Sequence, residues 1–526
     1  MRRRRSLERA RRALIEAIGP FEVGSLDVYR SRKVIHDPVW GTCVYHPWEM
    51  SLLGLKVFQR LRSLKQTGFA YFTYPAAEHS RFQHTLGVVE AASKIFRSII
   101  ERLDHDGLSP RGIKARLKRR FPFIRARRFH VLVRVAALVH DLGHSLFSHT
   151  SERIYGLIPP FDRLAEELKD PTAKPPGAAE MMVYLLVTSR SWQEAVTLLW
   201  KGSTKSERPP SKKEWERIGR WVMGQEADPR LKFVADIISG PLDADKLDYV
   251  FRDGYVAGIP VGYDLERLVA TICVDPQKSR VTKKQVLRLT IPIKGINALE
   301  QLVMGRLVLN SYLYHHQKCR AAECAFERML AREYLQRRSV LGLRSVWKLF
   351  DVQDEELAAF AKGRTWHARE ARRLQLRRLR VRIAEFRYRD LQNQSEETSA
   401  KFDWLLGLAN PSSWNDYRQL LRLEDQIARE AGLAAGEVMV DVPKDPGYAD
   451  LQELLLPGRR PEDQERPEKV LNYRDWIAAY KVHRQFVRVF GPRGRQSQRA
   501  VWHAARKVFA QSKYGLVIPP AAWFPH

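Results

Sequence analysis

VLVRVAALVHDLGHSLFSHT, residues 131–150, decides how the rest of the chain is read. Val131 to Val139 is apolar except for Arg134, a pattern that predicts a buried helix, and it runs straight into His140-Asp141. Gly143, His144 and His149 follow, so three imidazoles and a carboxylate fall close together. A His-Asp pair alone says little, since the same dipeptide recurs at His36-Asp37 beside a proline and at His105-Asp106 before Gly107. Only the third ends a buried run, where adjacent polar groups need a common partner. A divalent cation supplies one through imidazole nitrogen and carboxylate oxygen. A core histidine hydrogen-bonded to its neighbouring carboxylate is the plainer alternative.

Two distant stretches carry matching chemistry. HSRFQHTLG (79–87) sets His84 on an apolar helical face with Arg81 one turn earlier. GPLDADKLDYVFRD (240–253) offers Asp243, Asp245, Asp248 and Asp253 beside Lys246 and Arg252. The second fits either a salt-bridged helix or a site for metal and phosphate.

The whole chain sets the frame. Its 526 residues, 44% hydrophobic and 29% charged, suit a globular protein of more than one domain. No apolar run of the roughly 18 residues needed to span a membrane is present, and the start MRRRRSLERARRALIEAIG lacks the apolar core of a secretory signal. Cys43, Cys273, Cys319 and Cys324 form no CxxC pair, so reduced thiols and a cytoplasmic location are expected. The formal net charge of +30 is clustered: residues 111–128 hold nine basic and no acidic side chains, and 364–389 hold ten arginines. Such stripes attract nucleic acid or other polyanions, or they are simply solvated faces.

In chain order, residues 1–30 read as a basic helix and connector, and SRKVIHDPVWGTCVY (31–45) reads as extended with turns at Pro38 and Gly41. Helices are expected over 47–68, 75–100, 131–150, 179–200, 228–252 and, as one long element, 297–335, with a loop at 201–214. Arginine-rich helices continue to about 431, and EVMVDVP (437–443) and QFVRVFGP (485–492) alternate like strands around a polar loop at 457–469. The expected architecture is mainly α: a helical core over 31–335 and a smaller α+β region over 336–526.

Five phrases in order resemble the HD-domain phosphohydrolases, specifically the dGTPase and SAM-and-HD-domain deoxynucleoside triphosphate triphosphohydrolase branch. They are KVIHDPVWG, FQRLRSLKQTG, YPAAEHSRFQHTLGV, AALVHDLGHSLFSH and LDADKLDYVFRDGYVAGI, spread over roughly residues 31–330. The resemblance implies an HD-domain helical core and a metal held by His84, His140, Asp141 and Asp245, with manganese, iron or zinc at that site and magnesium on the substrate triphosphate. It implies hydrolysis of a dNTP to deoxynucleoside and triphosphate, in nucleotide-pool control or antiviral defence. Arg81, Lys246 and Arg306 are then expected on phosphates, His144 near the α-phosphate, and His149 with Glu152 at the leaving 5′-oxygen. Gln66, Tyr249 and Asp253 are expected at the sugar, and Tyr314 and His315 at sugar and base.

Two positions depart from the family pattern. Where a His-Glu pair is common, this chain reads Ala179-Glu180, and alanine carries no proton. The effector set of the guanine-activated relative reads Lys33, Val34, His36, Gln59 and Arg62 here, but an expected carboxylate is Gly54. A nucleotide effector and a homo-oligomer follow from the resemblance. The alternatives are an HD-type nuclease or phosphodiesterase on single-stranded nucleic acid, sharing the same metal, and a nucleotide-sensing subunit with reduced catalysis.

Overall fold

A computed structural model describes residues 2–24, 27–104, 127–171, 173–278, 285–391, 394–443 and 486–523. His105-Asp106, most of the basic stretch 111–128 and the loop 457–469 lie outside the described residues. The expected mainly α architecture holds: helices dominate and the strands form only small sheets.

Three helices frame the site. The Arg81–Asp104 helix packs along Arg127–Val139 on one side and Ala244–Ala257 on the other. Val131 through Val139 are all buried, as their unbroken apolarity requires. Arg134, the one polar member of that run, is buried too and forms a two-pronged pair with Glu49, at 2.7 and 2.8 Å. Fork-to-carboxylate geometry satisfies both charges where neither meets water. The Ala244–Ala257 helix starts at Asp243, whose side chain accepts from the Lys246 backbone N–H, and ends at Gly258 in the left-handed conformation.

Gly87 explains how closely two of these helices approach. A Cβ there would stand 1.9 Å from Asp248 Oδ1 and 2.2 Å from an Arg252 nitrogen. A mid-helix glycine costs about 1 kcal/mol against alanine, and here it admits a buried ion pair across the helix surface.

Several elements depart from the sequence expectation. The 131–150 helix stops at Val139, and residues 140–148 form turns before the His149–Tyr155 helix. The single helix expected over 297–335 is two, Ile296–Leu309 and Gln317–Arg337, separated by a wider π turn over Asn310–Tyr314. Residues 179–200 likewise divide into Ala178–Val187 and Arg190–Ser203, because Ser189 caps a new helix start. Strands at Cys273–Lys278 with Gln285–Thr290, and at Val381–Phe386, were not anticipated.

The extended stretch near the start is an antiparallel hairpin, Lys33–Asp37 with Gly41–Tyr45. A second apolar cluster begins at Ile383 and surrounds a three-stranded antiparallel sheet with Val487–Gly491 between Val381–Phe386 and Met439–Asp441. Buried ion pairs join it to the rest: Arg320 meets Asp441 at 2.6 Å, and Arg328 meets Glu424 at 3.1 Å. No described helix is long and apolar enough to cross a membrane.

Candidate active site

The fold brings three of the four sequence-predicted metal ligands into one cluster and sets the fourth against it. Ligand atoms of His84, His140 and Asp141 lie within 4.8 Å of one another, and Asp245 Oδ1 is 2.9 Å from His84 Nε2. Tautomer and aim are fixed from behind. His140 Nδ1 faces the Ala137 carbonyl at 2.7 Å, which turns its Nε2 toward the cluster, and that buried Nε2 has no hydrogen-bond partner. An unpartnered buried imidazole nitrogen beside two carboxylates fits a cation-binding donor set of nitrogen and oxygen.

Electrostatics agree with that reading. Burial alone would push the His84 pKa down, but hydrogen bonds to Asp245 and Asp248 overcome it and raise it to about 10. Burial works against ionised Asp245 as well, and the His84 hydrogen bond holds it down at about 2. Arg81 holds Asp141 well below the usual carboxylate range despite complete burial. These are negative groups organised around one positive centre.

The turn after Asp141 delivers the remaining imidazoles. Phe147 and Ser148 both sit at positive φ, 49° and 55°, a costly conformation for residues with a Cβ. Asp354 accepts from the Phe147 backbone N–H at 2.7 Å, and Arg81 Nε donates to Ser148 Oγ at 2.7 Å. The strained turn is thereby clamped. His144 lies 3.3 Å from Asp141 Oδ1, and burial lowers its pKa to about 4, so it is neutral at pH 7. His149 is 75% exposed and lies 3.1 Å from Glu152 Oε2. His144, His149 and Glu152 form a second ligand-like group beside the first.

Position 179 takes part through its backbone. The Ala179 N–H donates to Glu152 Oε1 at 3.0 Å. Burial disfavours the Glu152 anion, yet His149, His144 and this N–H keep its pKa down at about 2. Gly143 permits the approach, because a Cβ there would stand 1.9 Å from the Ala179 carbonyl oxygen. Glu180, next along, caps the Gly177 N–H, and burial raises it to about 7.

The expected phosphate and sugar contacts fall into distinct arrangements. Arg81 is buried and donates to Asp141 Oδ2 at 2.6 Å, leaving its remaining terminal nitrogen without a hydrogen-bond partner. Lys246 Nζ bonds to Asp243 Oδ2 at 2.6 Å and to the Gly240 carbonyl at 2.7 Å, an intrahelical ion pair. Arg306 is buried close enough to Tyr249 to lower its pKa, although burial pushes the phenol up overall. Asp253 accepts from the Tyr314 hydroxyl and meets His79 Nε2 at 2.7 Å. Gln66 shows a buried, unpartnered Oε1. His315 is held neutral by burial, its pKa lowered to about 3, and its carbonyl accepts from Arg488.

Of the expected effector residues, Lys33, Val34 and His36 are exposed on the hairpin. Arg62 lies 3.7 Å over the Phe82 ring and donates to Gln59, whose amide bonds to the Leu53 carbonyl. The arginines of 364–389 do not form one solvated stripe: Arg380 is buried on Glu370, Arg373 bridges Glu370 and Glu437, and Arg382 and Arg387 face Glu385. The four cysteines are free.

The sequence assigns no role to Trp40, Asp37 and His79, and leaves Asp248 and Arg252 open between a salt-bridged helix and a metal or phosphate site. The half-buried run LDADKLDYVFRD displayed Asp248 and Arg252, but their partners are remote in sequence.

The HD domain family model matches residues 81–186, and the HD associated region matches 263–456. The uncharacterized protein MJ1154 of Methanocaldococcus jannaschii is 26% identical over 411 residues, 78% of this chain and 69% of that protein. YwfO of Bacillus subtilis is 29% identical over 57% of this chain and 55% of its own length. The deoxynucleoside triphosphate triphosphohydrolase SAMHD1 of Bos taurus is 30% identical over 54% of this chain and 45% of its own length. The chain thus spans about half the length of the last two. A hypothetical protein from Aquifex aeolicus, 20% identical, superposes with a TM-score of 0.59 over 91% of this chain and all of its own, which speaks to the fold. The chain thus carries an HD domain followed by an HD associated region, and the relatives it resembles include deoxynucleoside triphosphate triphosphohydrolases.

Proposed function

We propose that the chain is a metal-dependent hydrolase that cleaves deoxynucleoside triphosphates to deoxynucleoside and triphosphate. The observation that carries this reading is the His84, His140, Asp141 cluster with Asp245 against it and the His149–Glu152 pair beside it. A metal held by those four side chains supplies Lewis acidity at the α-phosphate and lowers the pKa of water.

The chain's own groups account for the rest. Arg81 orients Asp141 and presents its remaining nitrogen for a phosphate oxygen. His144, neutral at pH 7, is suited to a hydrogen bond at the α-phosphate. His149, exposed and oriented by Glu152, donates the proton that the leaving 5′-oxygen takes as its bond to α-phosphorus breaks. Lys246 serves the triphosphate only after exchanging its Asp243 contact for the substrate. Tyr249, with the Asp253–Tyr314 pair, forms the sugar wall that disfavours a ribose 2′-OH. Manganese, iron or zinc suits the mixed nitrogen and oxygen donors, and magnesium accompanies the triphosphate. A nucleotide effector at Lys33, Val34, His36, Gln59 and Arg62, and assembly into a homo-oligomer, complete the proposal.

The test is incubation of each dNTP with the protein and Mn²⁺ or Mg²⁺, with His140→Ala as control. Triphosphate released by the wild type and absent with His140→Ala supports the reading. Monophosphate and pyrophosphate, or no turnover by the wild type, would refute it. Salt-sensitive oligonucleotide binding with mononucleotide release would favour the nuclease instead.

A further inference from the structure

The side of His84 facing away from the metal cluster is as tightly organised as the side facing it. His84 Nδ1 lies 2.7 Å from Asp248 Oδ2, and both side chains are fully buried. Asp248 in turn accepts from Arg252 Nε at 2.7 Å, from a terminal nitrogen of Arg252 at 2.8 Å and from the Trp40 indole N–H at 2.7 Å. Arg252 continues to Asp37 at 2.8 Å, and Asp37 Oδ1 accepts the backbone N–H groups of Val39 and Trp40. Gly87, one turn beyond His84, leaves room for the pair.

We propose that Asp248, locked by Arg252 and Trp40, is a positioning residue that fixes His84 with Nδ1 protonated and Nε2 open to the metal. This rests on the metal-site reading above. A carboxylate accepts only, so Asp248 keeps the proton on Nδ1, and Nε2, which faces Asp245 at 2.9 Å, is the nitrogen that gives up its proton to a metal. An asparagine can offer its amide N–H to Nδ1 instead, which moves the imidazole proton to Nε2 and blocks ligation. Trp40 stands on the turn of the N-terminal hairpin and Asp37 in its first strand, so that hairpin reaches Asp248 directly through the indole and indirectly through Arg252.

The test is Co²⁺ binding to the metal-stripped full chain by equilibrium dialysis, with thermal unfolding of each stripped protein alongside. Asp248→Asn is expected to bind Co²⁺ about 10- to 100-fold more weakly than the wild type. Trp40→Phe, which removes the indole donor together with part of the ring's volume, is expected to lose about 3- to 10-fold, the smaller part of the same effect. Should Asp248→Asn fail to fold, Trp40→Phe decides. Affinities of the folded variants within twofold of the wild type would overturn the proposal while leaving the metal site standing. No Co²⁺ bound by the wild type would overturn both.

Discussion

Glu152 joins the exposed His149 imidazole to the Ala179 backbone: one carboxylate oxygen lies 3.1 Å from His149 Nδ1, and the other accepts the Ala179 N–H at 3.0 Å. A side chain at 179 is therefore not needed to hold the pair. Glu152→Gln should lower kcat by about 10²- to 10⁴-fold with little change in KM. Steady-state kinetics on a dNTP measures both, and an unchanged kcat would remove His149–Glu152 from proton transfer.

Arg81 and Asp141 form a buried pair at 2.6 Å. Arg81→Ala leaves Asp141 buried with one cationic partner fewer, and should cost the metal-free protein about 3–5 kcal/mol. Added Mn²⁺ should recover part of the loss, since a cation replaces the missing charge. Urea unfolding with and without Mn²⁺ reads the difference.

Two groups predict how the metal-free protein responds to alkali. His84 is raised from 6.5 to about 10, so its contribution is complete below pH 6.5 and lost as pH rises through about 10. Glu180 is raised from 4.5 to about 7, so the fold favours its neutral form, an advantage complete below pH 4.5 and lost as pH rises through about 7. Stability should therefore fall from pH 4.5 to 7 through Glu180 and from pH 6.5 to 10 through His84, and bound Mn²⁺ should flatten the part due to His84 by displacing its proton. Glu180→Gln should gain about 1 kcal/mol over the wild type at pH 8 and nothing at pH 4.5, a figure kept small because the side chain is only half-buried.

Gly87→Ala drives a methyl group into Asp248 and Arg252. Overpacking of this kind costs about 1–3 kcal/mol, whereas an open helix site would gain from the same change. Thermal unfolding distinguishes the two by sign.

His140-Asp141 is legible as a polar pair ending an apolar run, whereas grouping it with His84 and Asp245 follows from the family resemblance, since the residues alone leave a salt-bridged helix open at 240–253. Arg134 within that run was legible as a polar interruption but not as a pair with Glu49, which is 85 residues away. The break at Asn310–Tyr314 was hidden because apolar and aromatic residues continue through a π turn without glycine or proline to mark it. The Cys273–Lys278 strand contains Pro276, which argues against a strand, yet it lies in a two-stranded hairpin where only one edge is paired. The backbone role of Ala179 leaves no trace in residue identity, since any non-proline residue offers the same N–H.

The most direct test of the central claim is hydrolysis of a dNTP in ¹⁸O-labelled water with Mn²⁺, followed by mass spectrometry of both products. Attack at α-phosphorus predicts triphosphate carrying one ¹⁸O and an unlabelled deoxynucleoside. Monophosphate with pyrophosphate, or label in the deoxynucleoside, would contradict it.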